Sequence, residues 1–540
     1  MTLLRTPPKL KYNGLTLLLS HAGRFDKNKL IDGYYAKEVD SALAPIASRW
    51  ACDIRTLECN EPLLPDTRVV LCCGAATLPK HFGEPASRLD QLRGSPTKIG
   101  DVVYIPTYHT TDAYDRQEYE SRLNVTQQAA LGNEADSERT SEDEVEDDHT
   151  TKNKGRTSRA NYGFWLRQDL RKAIRIAKQG LREYTCDILL RKSFDDILLR
   201  MQQMRGQRIF FDIETLPGSN QISCFAVATD PTSVLSVSLI SYSNQLCYGR
   251  EGTRKILLAL AALLNESEFV IHNAQFDLFI LANYYRLCPP RRIADTMLMH
   301  ARNYIGIEKS LGHCVSLYTD LPYHKDEGIF NPHNYTQETS LLTYNAKDVQ
   351  TLALVYDGVR AHGAKLGALE SQDQANSTLR AYLGMSLRGI KLDNDKLCAH
   401  LDSLTERSAW FETRVLPKLV GFNLNPRSPK QVAEYLYETL GLPKPKGGIS
   451  PTGKTTLYRL AIAHQIPALK LILYLRRLSK DRGTMSFTQW KDGRATCCYK
   501  IAGTKFGRVS SSALLGVWGT NLQNLNKDRC REFFVSDSYE

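Results

Sequence analysis

The feature that most restricts how this chain can fold is a short apolar strand that carries two carboxylates. Residues 208–214 read RIFFDIE, so Asp212 and Glu214 stand two positions apart in an apolar segment. Side chains two apart on a strand point to the same face. Two carboxylates on one face repel each other, and both ionise readily only when a cation lies between them. The alternative is an edge strand with two solvated acids, because the pattern D-x-E is common by chance.

The segments around this strand predict a mixed α/β sheet. ISCFAVAT and VLSVSLISY read as two more strands, and they are followed by a helix (RKILLALAALLN), a strand (EFVIHN) and a helix (AQFDLFILANYYR). Three strands followed by alternating helix and strand favour a mixed sheet. Residues 162–204 read as helices, and the pattern beyond about residue 365 is again mostly helical.

Two further pairs of polar residues have the spacing of one helical turn. HNAQFD contains Asn273 and Asp277, and TYNAKDVQTL contains Tyr344 and Asp348. Side chains four apart share a helix face, so each pair is expected on one face. Taken singly, a capping Asn, a surface Asp and a half-buried Tyr explain these residues as well.

The combined order D-x-E, N-x-x-F-D, Y-x-x-x-D resembles the DEDD superfamily of exonucleases. The resemblance is to the tyrosine-containing branch found in proofreading domains of family A DNA polymerases, and it covers roughly residues 205–362. It implies an RNase H-like mixed-sheet domain with 3′-5′ exonuclease activity. The matching positions are Asp212, Glu214 and Thr215, then Asn273, Phe276 and Asp277, then Tyr344 and Asp348, with weaker matches at Asp295, Thr296, Ser310 and Leu311.

The resemblance also implies a metal requirement. Two divalent ions about 4 Å apart generate a hydroxide and stabilise the leaving oxyanion in phosphodiester hydrolysis. Carboxylate oxygens suit Mg²⁺ or Mn²⁺. By analogy with the family, Asp212, Glu214 and Asp348 hold the nucleophile-side ion, Asp212 bridges to the second ion, and Asp277 supports it.

Other roles in the predicted site follow from the same resemblance. Tyr344 is expected to orient the attacking water. Thr215 and Asn273 are expected near the DNA. Leu216 and Phe276 are candidates to pack against the terminal nucleotide, although core packing explains these two residues equally well.

The last part of the chain resembles the polymerase region of family A enzymes. Residues 385–397 resemble its start, and residues 422–443 and 469–485 resemble its thumb. GTKFGRVSSS (503–512) and NLQNLN (521–526) resemble the T-x-x-G-R-x-S-S and N-L-Q-N motifs. Thr504, Arg508 and Gln523 would there approach the primer-template or the incoming nucleotide.

The family's first palm carboxylate follows the point at which this sequence stops, at FFVSDSYE. Asp537 aligns with the stretch before that carboxylate and is not assigned to it. The chain alone is therefore not expected to polymerise. The expectation is one part of a split polymerase, a truncated product or an incomplete gene. The hypothesis for the split arrangement is that a second polypeptide carries fingers and palm.

The N-terminal region is expected to form a further α/β domain. The segments 67–76 and 101–109 read as buried strands. Residues 69–83, 93–109 and 165–173 faintly resemble the C-terminal half of uracil-DNA glycosylases, with His109 at the family's histidine but Thr110 in place of its proline. This implies a non-catalytic relic, and an unrelated α/β domain remains the alternative. The acidic segment at about 130–158 predicts a disordered insertion.

Composition agrees with a protein that binds nucleic acid. The 540 residues carry a net charge of +11 despite the acidic insertion, and a basic surface favours nucleic acid or an anionic membrane. There is no signal-peptide h-region and no apolar run of bilayer length, so a cytoplasmic protein in a phage or bacterial replication context is expected. The 13 cysteines contain no C-x-x-C pair. GISPTGKT (448–455) fits the P-loop pattern, but no buried strand is predicted before it.

The sequence thus predicts three domains: an N-terminal α/β domain (1–204), an exonuclease domain (205–365) and a polymerase thumb with the start of the palm (366–540). The predicted partners are DNA, as a single-stranded 3′ end or a primer-template, and a second polypeptide, without a membrane. The alternative function is a non-catalytic DNA-binding subunit that supports a separate polymerase chain.

Overall fold

The computed structural model describes most of the chain as two compact units that divide between Ser377 and Thr378. His109, Thr110 and the predicted insertion at about 130–158 lie outside the described residues. The boundaries predicted at residues 204 and 365 stay predictions. The described residues are 67–108, 162–216, 218–241, 243–325, 338–445, 450–485, 491–515, 519, 521–525 and 527–537.

The described residues of the first unit form two sheets and the helices that cover them. Its strands are β1 (Val69–Cys73), β2 (Thr97–Ile99), β3 (Val102–Thr107), β4 (Asp187–Leu189), β5 (Arg208–Thr215), β6 (Ile222–Asp230), β7 (Ser233–Ser238), β8 (Glu268–Ile271) and β9 (Arg292–Asp295). Its helices are α1 (Leu78–His81), α2 (Leu89–Leu92), α3 (Tyr162–Gln179), α4 (Phe194–Gln203), α5 (Gly249–Glu266), α6 (Ala274–Tyr284), α7 (Thr296–Asn303), α8 (Leu311–Tyr318) and α9 (Glu338–Leu366), and α10 (Leu369–Arg388) runs into the second unit.

The larger sheet has six strands in the order β4-β7-β6-β5-β8-β9. β5 pairs antiparallel with β6 and parallel with β8, so the sheet is mixed. The core around β5 is aromatic: Phe211 lies between Phe225 and Phe269, with ring centroids 6.1 and 5.5 Å away. The predicted α/β, multidomain architecture with a mixed sheet is confirmed.

The prediction that residues 162–204 are all helical is wrong at one place. Gly180 ends α3 with a left-handed φ of 81°, and β4 follows as an edge strand parallel to β7. The Asp187 amide donates to the Thr232 carbonyl at 2.7 Å. Pairing with a distant strand therefore decides the conformation of residues 187–189, and local periodicity cannot report such a contact.

The smaller sheet, in the order β1-β3-β2, packs against α3. All five residues of β1 are buried, as predicted for this segment. β3 pairs parallel with β1 and antiparallel with β2.

A buried ion pair connects α3 with the chain before β2. Arg93 and Asp169 approach to 2.6 Å with side chains only 1% and 2% exposed. The hydroxyl of Thr107 donates to the other Asp169 oxygen at 2.7 Å, and the guanidinium stacks on Trp165 at 3.7 Å. Arg93 also donates to the Ser316 hydroxyl in α8. The pair is thus satisfied on several sides and reaches α8.

A buried lysine of α3, Lys172, contacts the end of α8 as well. Lys172 donates to the carbonyls of Gly94 at 2.8 Å and Thr319 at 2.7 Å, and also to that of Ser316. Burial lowers the pKa of Lys172 to about 8. Arg175 pairs with Asp320 just after α8. The smaller sheet and the larger one are therefore joined through residues 316–320.

The second unit is mostly helical, as predicted. Buried Leu469, Ile472 and Leu475 lie along one helix at the centre of its core. Its elements are α11 (Asn394–Trp410), α12 (Leu416–Val420), α13 (Pro429–Glu434), α14 (Lys454–Ala463), α15 (Pro467–Met485) and α16 (Lys527–Cys530), π-helical turns at Phe411–Val415 and Tyr435–Thr439, and the antiparallel strand pairs β10 (Ile390–Lys391) with β11 (Arg494–Ala495) and β12 (Cys498–Lys500) with β13 (Ser510–Ser512). No helix in the described part of the chain is both long and apolar enough to cross a membrane.

Arg93→Met should destabilise the first unit strongly, because it leaves Asp169 as a buried charge without its partner. Breaking a buried pair from one side costs about 3–5 kcal/mol. Hydrogen exchange of the α3 and β1 amides in the full chain should therefore accelerate. The control is Arg254→Met, which breaks an exposed pair with Glu251 of about 0–1 kcal/mol. Equal, small effects of both substitutions would contradict this account.

Candidate active site

The central strand β5 presents the first two carboxylates. Asp212 and Glu214 are both half-buried and lie opposite Ala226 and Cys224 of β6. The pairing of β5 with β8 stops at Phe210, so the two acids lie beyond the last residue that β8 covers. A register shift follows between Glu214 and Thr215. Asp212 and Glu214 thus lie on the same face of β5, as predicted.

Asp277 lies in the first turn of α6 and reaches back to this strand. It is buried, and its Oδ1 accepts the backbone amide of Ile213 at 3.2 Å. The expectation that Asn273 shares a helix face with it is wrong. Asn273 precedes the helix, with a left-handed φ of 65°, and its side chain is exposed. A four-residue spacing cannot show where a helix begins.

Asp295 fixes the entry to α6. Its carboxylate accepts the amides of Asn273 at 3.1 Å and Ala274 at 2.9 Å, and it also caps α7 through Met297 at 2.9 Å. Burial raises the pKa of Asp295 to about 6, although these hydrogen bonds lower it. This predicted family position thus braces the turn that carries Asp277.

Helix α9 supplies the remaining residues of the predicted set. Tyr344 and Asp348 lie one turn apart on it, as predicted. Between them, fully buried Asn345 donates to Asp212 Oδ2 at 2.8 Å. Asn345 was missed by the sequence analysis, since its position in the helix carries no signal of a contact with β5.

Three of the four carboxylates form a group that fits a metal ion. Asp212, Glu214 and Asp348 each offer an oxygen, and these oxygens lie within 4.8 Å of one another. A set made only of carboxylates suits a hard divalent cation. Asp277 is outside this group, and its Oδ1 is bonded to the β5 backbone.

The cluster is electrostatically unfavourable by itself. Burial raises the pKa of Asp212, and the charges of Asp277, Glu214 and Asp348 raise it further. Burial and the Asp348 charge raise the pKa of Glu214 to about 7. Burial also raises the pKa of Asp277, against the hydrogen bond from Ile213. The positive charge of Lys325 lowers the pKa of Asp212 and of Glu214 but offsets only part of this effect.

The pKa of Asp348, unlike those of the other three carboxylates, is lowered, because two basic residues before α9 contact it. His324 Nε2 lies 2.8 Å from Oδ1, and Lys325 Nζ lies 2.6 and 2.5 Å from the two oxygens. Burial alone would raise the pKa of Asp348, but these hydrogen bonds and the ammonium charge lower it. Lys325 also donates to the Tyr344 hydroxyl at 3.0 Å. Neither His324 nor Lys325 could be found from the sequence, since neither has a periodic relation to the carboxylates.

The predicted DNA contacts of the first unit lie at the ends of β5 and α6. Thr215 and Leu216 are half-buried at the end of β5, while Asn273 and Phe276 are exposed where α6 begins. Phe276 keeps 37% of its surface exposed. A role in core packing alone therefore does not explain Phe276.

The second unit brings its two predicted motifs together. Ser511 of β13 donates to Asn521 and accepts the amide of Gln523 at 3.1 Å. Thr504 accepts the amide of Arg508 at 3.0 Å, which closes the turn between β12 and β13. Gln523 is exposed. The T-x-x-G-R-x-S-S and N-L-Q-N segments are thus one local structure.

Asp537 is engaged in a surface ion pair in this unit. It lies 2.7 Å from Arg494 and 2.6 Å from Arg388. The hydrogen bond from Arg494 lowers the pKa of Asp537 to about 2, with Arg388 adding to it.

Comparisons with known proteins agree with this arrangement. Residues 192–361 match the family of 3′-5′ exonucleases, and residues 395–540 match DNA polymerase family A. The chain therefore contains a region similar to 3′-5′ exonucleases, followed by a region similar to family A DNA polymerases. The exonuclease match contains all four carboxylates and Tyr344.

Similar curated proteins are bacterial DNA polymerases I. That of Aquifex aeolicus is 26% identical over 293 residues, which are 50% of this chain and 48% of the relative. That of Helicobacter pylori is 30% identical over 151 residues, 27% of this chain and 16% of the relative. That of Geobacillus stearothermophilus is 32% identical over 149 residues, 26% of this chain and 16% of the relative. The chain therefore spans half or less of the length of these relatives.

A solved structure shares the fold. The POL domain of Pol1 from M. smegmatis, in complex with DNA primer-template and dNTP, superposes with a TM-score of 0.50 at 18% identity. The superposition covers 65% of this chain and 58% of that one.

The stability of the metal-free protein should depend on the protonation of Glu214. Its pKa is about 7 in the folded state and 4.5 ordinarily, so the folded state holds the proton more tightly than the unfolded state. The contribution of Glu214 to the free energy of unfolding is then fully present below about pH 4.5 and is lost as the pH rises to about 7. Melting temperatures in EDTA should show a shallower fall for Glu214→Gln than for the parent chain, and Mg²⁺ should flatten the parent's curve. Identical slopes for parent and variant in EDTA would count against this assignment.

Proposed function

We propose that the first unit is a two-metal 3′-5′ exonuclease that hydrolyses DNA from its single-stranded 3′ end. The observation that carries the proposal is the convergence of Asp212, Glu214 and Asp348, whose oxygens lie within 4.8 Å of one another. Two elements distant in sequence, β5 and α9, place these carboxylates at one point despite their repulsion. A structural role would not require this arrangement, whereas binding of divalent cations does.

The residues take distinct parts in the proposed reaction. Bound Mg²⁺ or Mn²⁺ ions would supply an activated hydroxide and stabilise the leaving oxygen. Asp212, Glu214 and Asp348 would hold the nucleophile-side ion, with Asp212 bridging to the second. Asp277 would support the second ion, while its bond to Ile213 fixes its carboxylate against β5.

Tyr344 is proposed to orient the attacking water through its hydroxyl. The pKa of this hydroxyl is raised, first by burial and then by the charge of Asp348. It therefore stays protonated and can act as a hydrogen-bond donor. A neutral phenol suits the positioning of a water molecule better than the removal of its proton.

The end of the DNA is proposed to lie against the start of α6 and the end of β5. Exposed Phe276 offers an aromatic face on which a terminal base can stack, a contact worth about 1–3 kcal/mol per base. Leu216 would add apolar contact. Thr215 and Asn273 offer polar groups for the sugar and phosphate.

The second unit is proposed to hold primer-template through Thr504, Arg508 and Gln523. The support is the likeness of these motifs to family A and the match over residues 395–540. Polymerase activity is proposed to need a second polypeptide that carries fingers and palm.

A non-catalytic DNA-binding subunit is the second candidate. The observation that favours it is Lys325, which already neutralises Asp348 in place of a metal ion. Digestion that depends on a divalent metal separates the two candidates.

Asp212→Ala should abolish Mg²⁺-dependent digestion of single-stranded DNA by the full chain. The variant loses the proposed bridging ligand, and a decrease of at least about a thousandfold, or 4 kcal/mol in barrier height, is expected. Stepwise shortening of 5′-labelled DNA measures it. Asp195→Ala, an exposed aspartate in the first turn of α4, is the control and should digest like the parent. Digestion by Asp212→Ala at the parent's rate would rule out this site.

Arg508→Ala should weaken binding of primer-template by the full chain without changing its exonuclease rate on single-stranded DNA. A lost phosphate or base contact costs about 1–3 kcal/mol. Fluorescence anisotropy with labelled primer-template measures the affinity, with Lys255→Ala in α5 as the matched control. Adding a polypeptide that carries fingers and palm should permit primer extension. If no complex forms and no primer is extended, the split arrangement is contradicted.

A further inference from the structure

Lys325 holds a position that the proposed reaction leaves unexplained. Its ammonium contacts both oxygens of Asp348, at 2.6 and 2.5 Å, and lies 3.0 Å from the Tyr344 hydroxyl. The same ammonium is 4.9 Å from the centre of the Tyr344 ring. One cation is therefore bonded to a proposed metal ligand and to the proposed water-orienting residue at once.

The contact is strong because Asp348 is almost fully withdrawn from water. The Asp348 side chain is only 4% exposed, whereas that of Lys325 is 23% exposed. Charge-assisted hydrogen bonds gain strength where solvent is excluded. The partial exposure of Lys325 leaves its flexible stem a route towards solvent. The lysine is thus attached firmly but is not enclosed.

The ammonium of Lys325 offsets the repulsion among the carboxylates of the pocket. Asp212, Glu214 and Asp348 bring three carboxylates together, and their mutual repulsion has to be offset for the pocket to keep its shape. Lys325 supplies a full positive charge at this group. A divalent ion on Asp348 would draw on the same two oxygens, so the ammonium and the metal would compete for them.

His324 keeps Asp348 in place during such an exchange. Its Nε2 lies 2.8 Å from Oδ1 of Asp348, and its side chain is 7% exposed. A buried histidine that holds a ligating carboxylate preserves the orientation of that carboxylate. The departure of Lys325 therefore need not disturb the position of Asp348.

We propose that Lys325 is an internal counter-cation that competes with the divalent ion for Asp348. It stabilises the carboxylate cluster before metal enters, and it sets the metal concentration at which the site loads. Lys325 is thus a positioning residue of this site. The inference rests on the proposed function, because it assigns metal binding to Asp348.

The test measures Mn²⁺ affinity of the full chain by isothermal titration. Lys325→Met removes the competing charge and keeps a long side chain, so Mn²⁺ should bind about tenfold more tightly, a change of 1.4 kcal/mol. Lys325→Arg retains a cation and should bind Mn²⁺ more weakly than Lys325→Met. Lys255→Met, at an exposed lysine of α5, should match the parent.

Thermal unfolding separates this role from a merely structural one. In EDTA, Lys325→Met should melt below the parent, and saturating Mn²⁺ should remove the difference. A Lys325→Met affinity equal to or below the parent's, or a melting difference that is the same with and without Mn²⁺, would overturn the inference. If the parent binds no Mn²⁺, the proposed function fails as well; parent binding with an unchanged Lys325→Met affinity overturns the inference alone.

Discussion

The repulsion among carboxylates in one partly buried pocket is the constraint on which the exonuclease region depends. Asp212, Glu214 and Asp348 lie close enough to share a cation, and burial raises the pKa of Asp212 and Glu214. Hydrogen bonds from Asn345 and Ile213 and the ammonium of Lys325 offset part of this cost. The pocket is therefore prepared for positive charge, and DNA hydrolysis is the chemistry that we propose for divalent ions there.

The rest of the first unit holds these groups in position. Asp295 fixes the start of α6 through backbone amides. The Arg93–Asp169 pair and Lys172 fix residues 316–319 against the smaller sheet. The segment that follows them carries His324 and Lys325 to Asp348. The N-terminal sheet thus contributes to the site indirectly, through the chain that delivers its two basic residues.

Part of this arrangement could be predicted from the sequence, because it depends on local periodicity. The shared strand face of Asp212 and Glu214 and the one-turn spacing of Tyr344 and Asp348 follow from the geometry of a strand and a helix. Asp277 was found through its place in a family motif. The helical prediction for residues 187–189 failed because strand pairing with β7 decides their conformation. Asn345 and Lys325 could not be found, since their partners are distant in sequence and share no helix or strand periodicity with them.

The number of Mn²⁺ ions bound by the full chain tests the central claim most directly. Electron paramagnetic resonance can count them in the presence of a single-stranded oligonucleotide whose 3′-terminal linkage resists hydrolysis. The account predicts two ions per chain, as in other two-metal sites, and loss of both in Asp212→Ala, since Asp212 is the proposed bridging ligand. No bound ion in the parent, or the same number of ions in Asp212→Ala, would contradict the account.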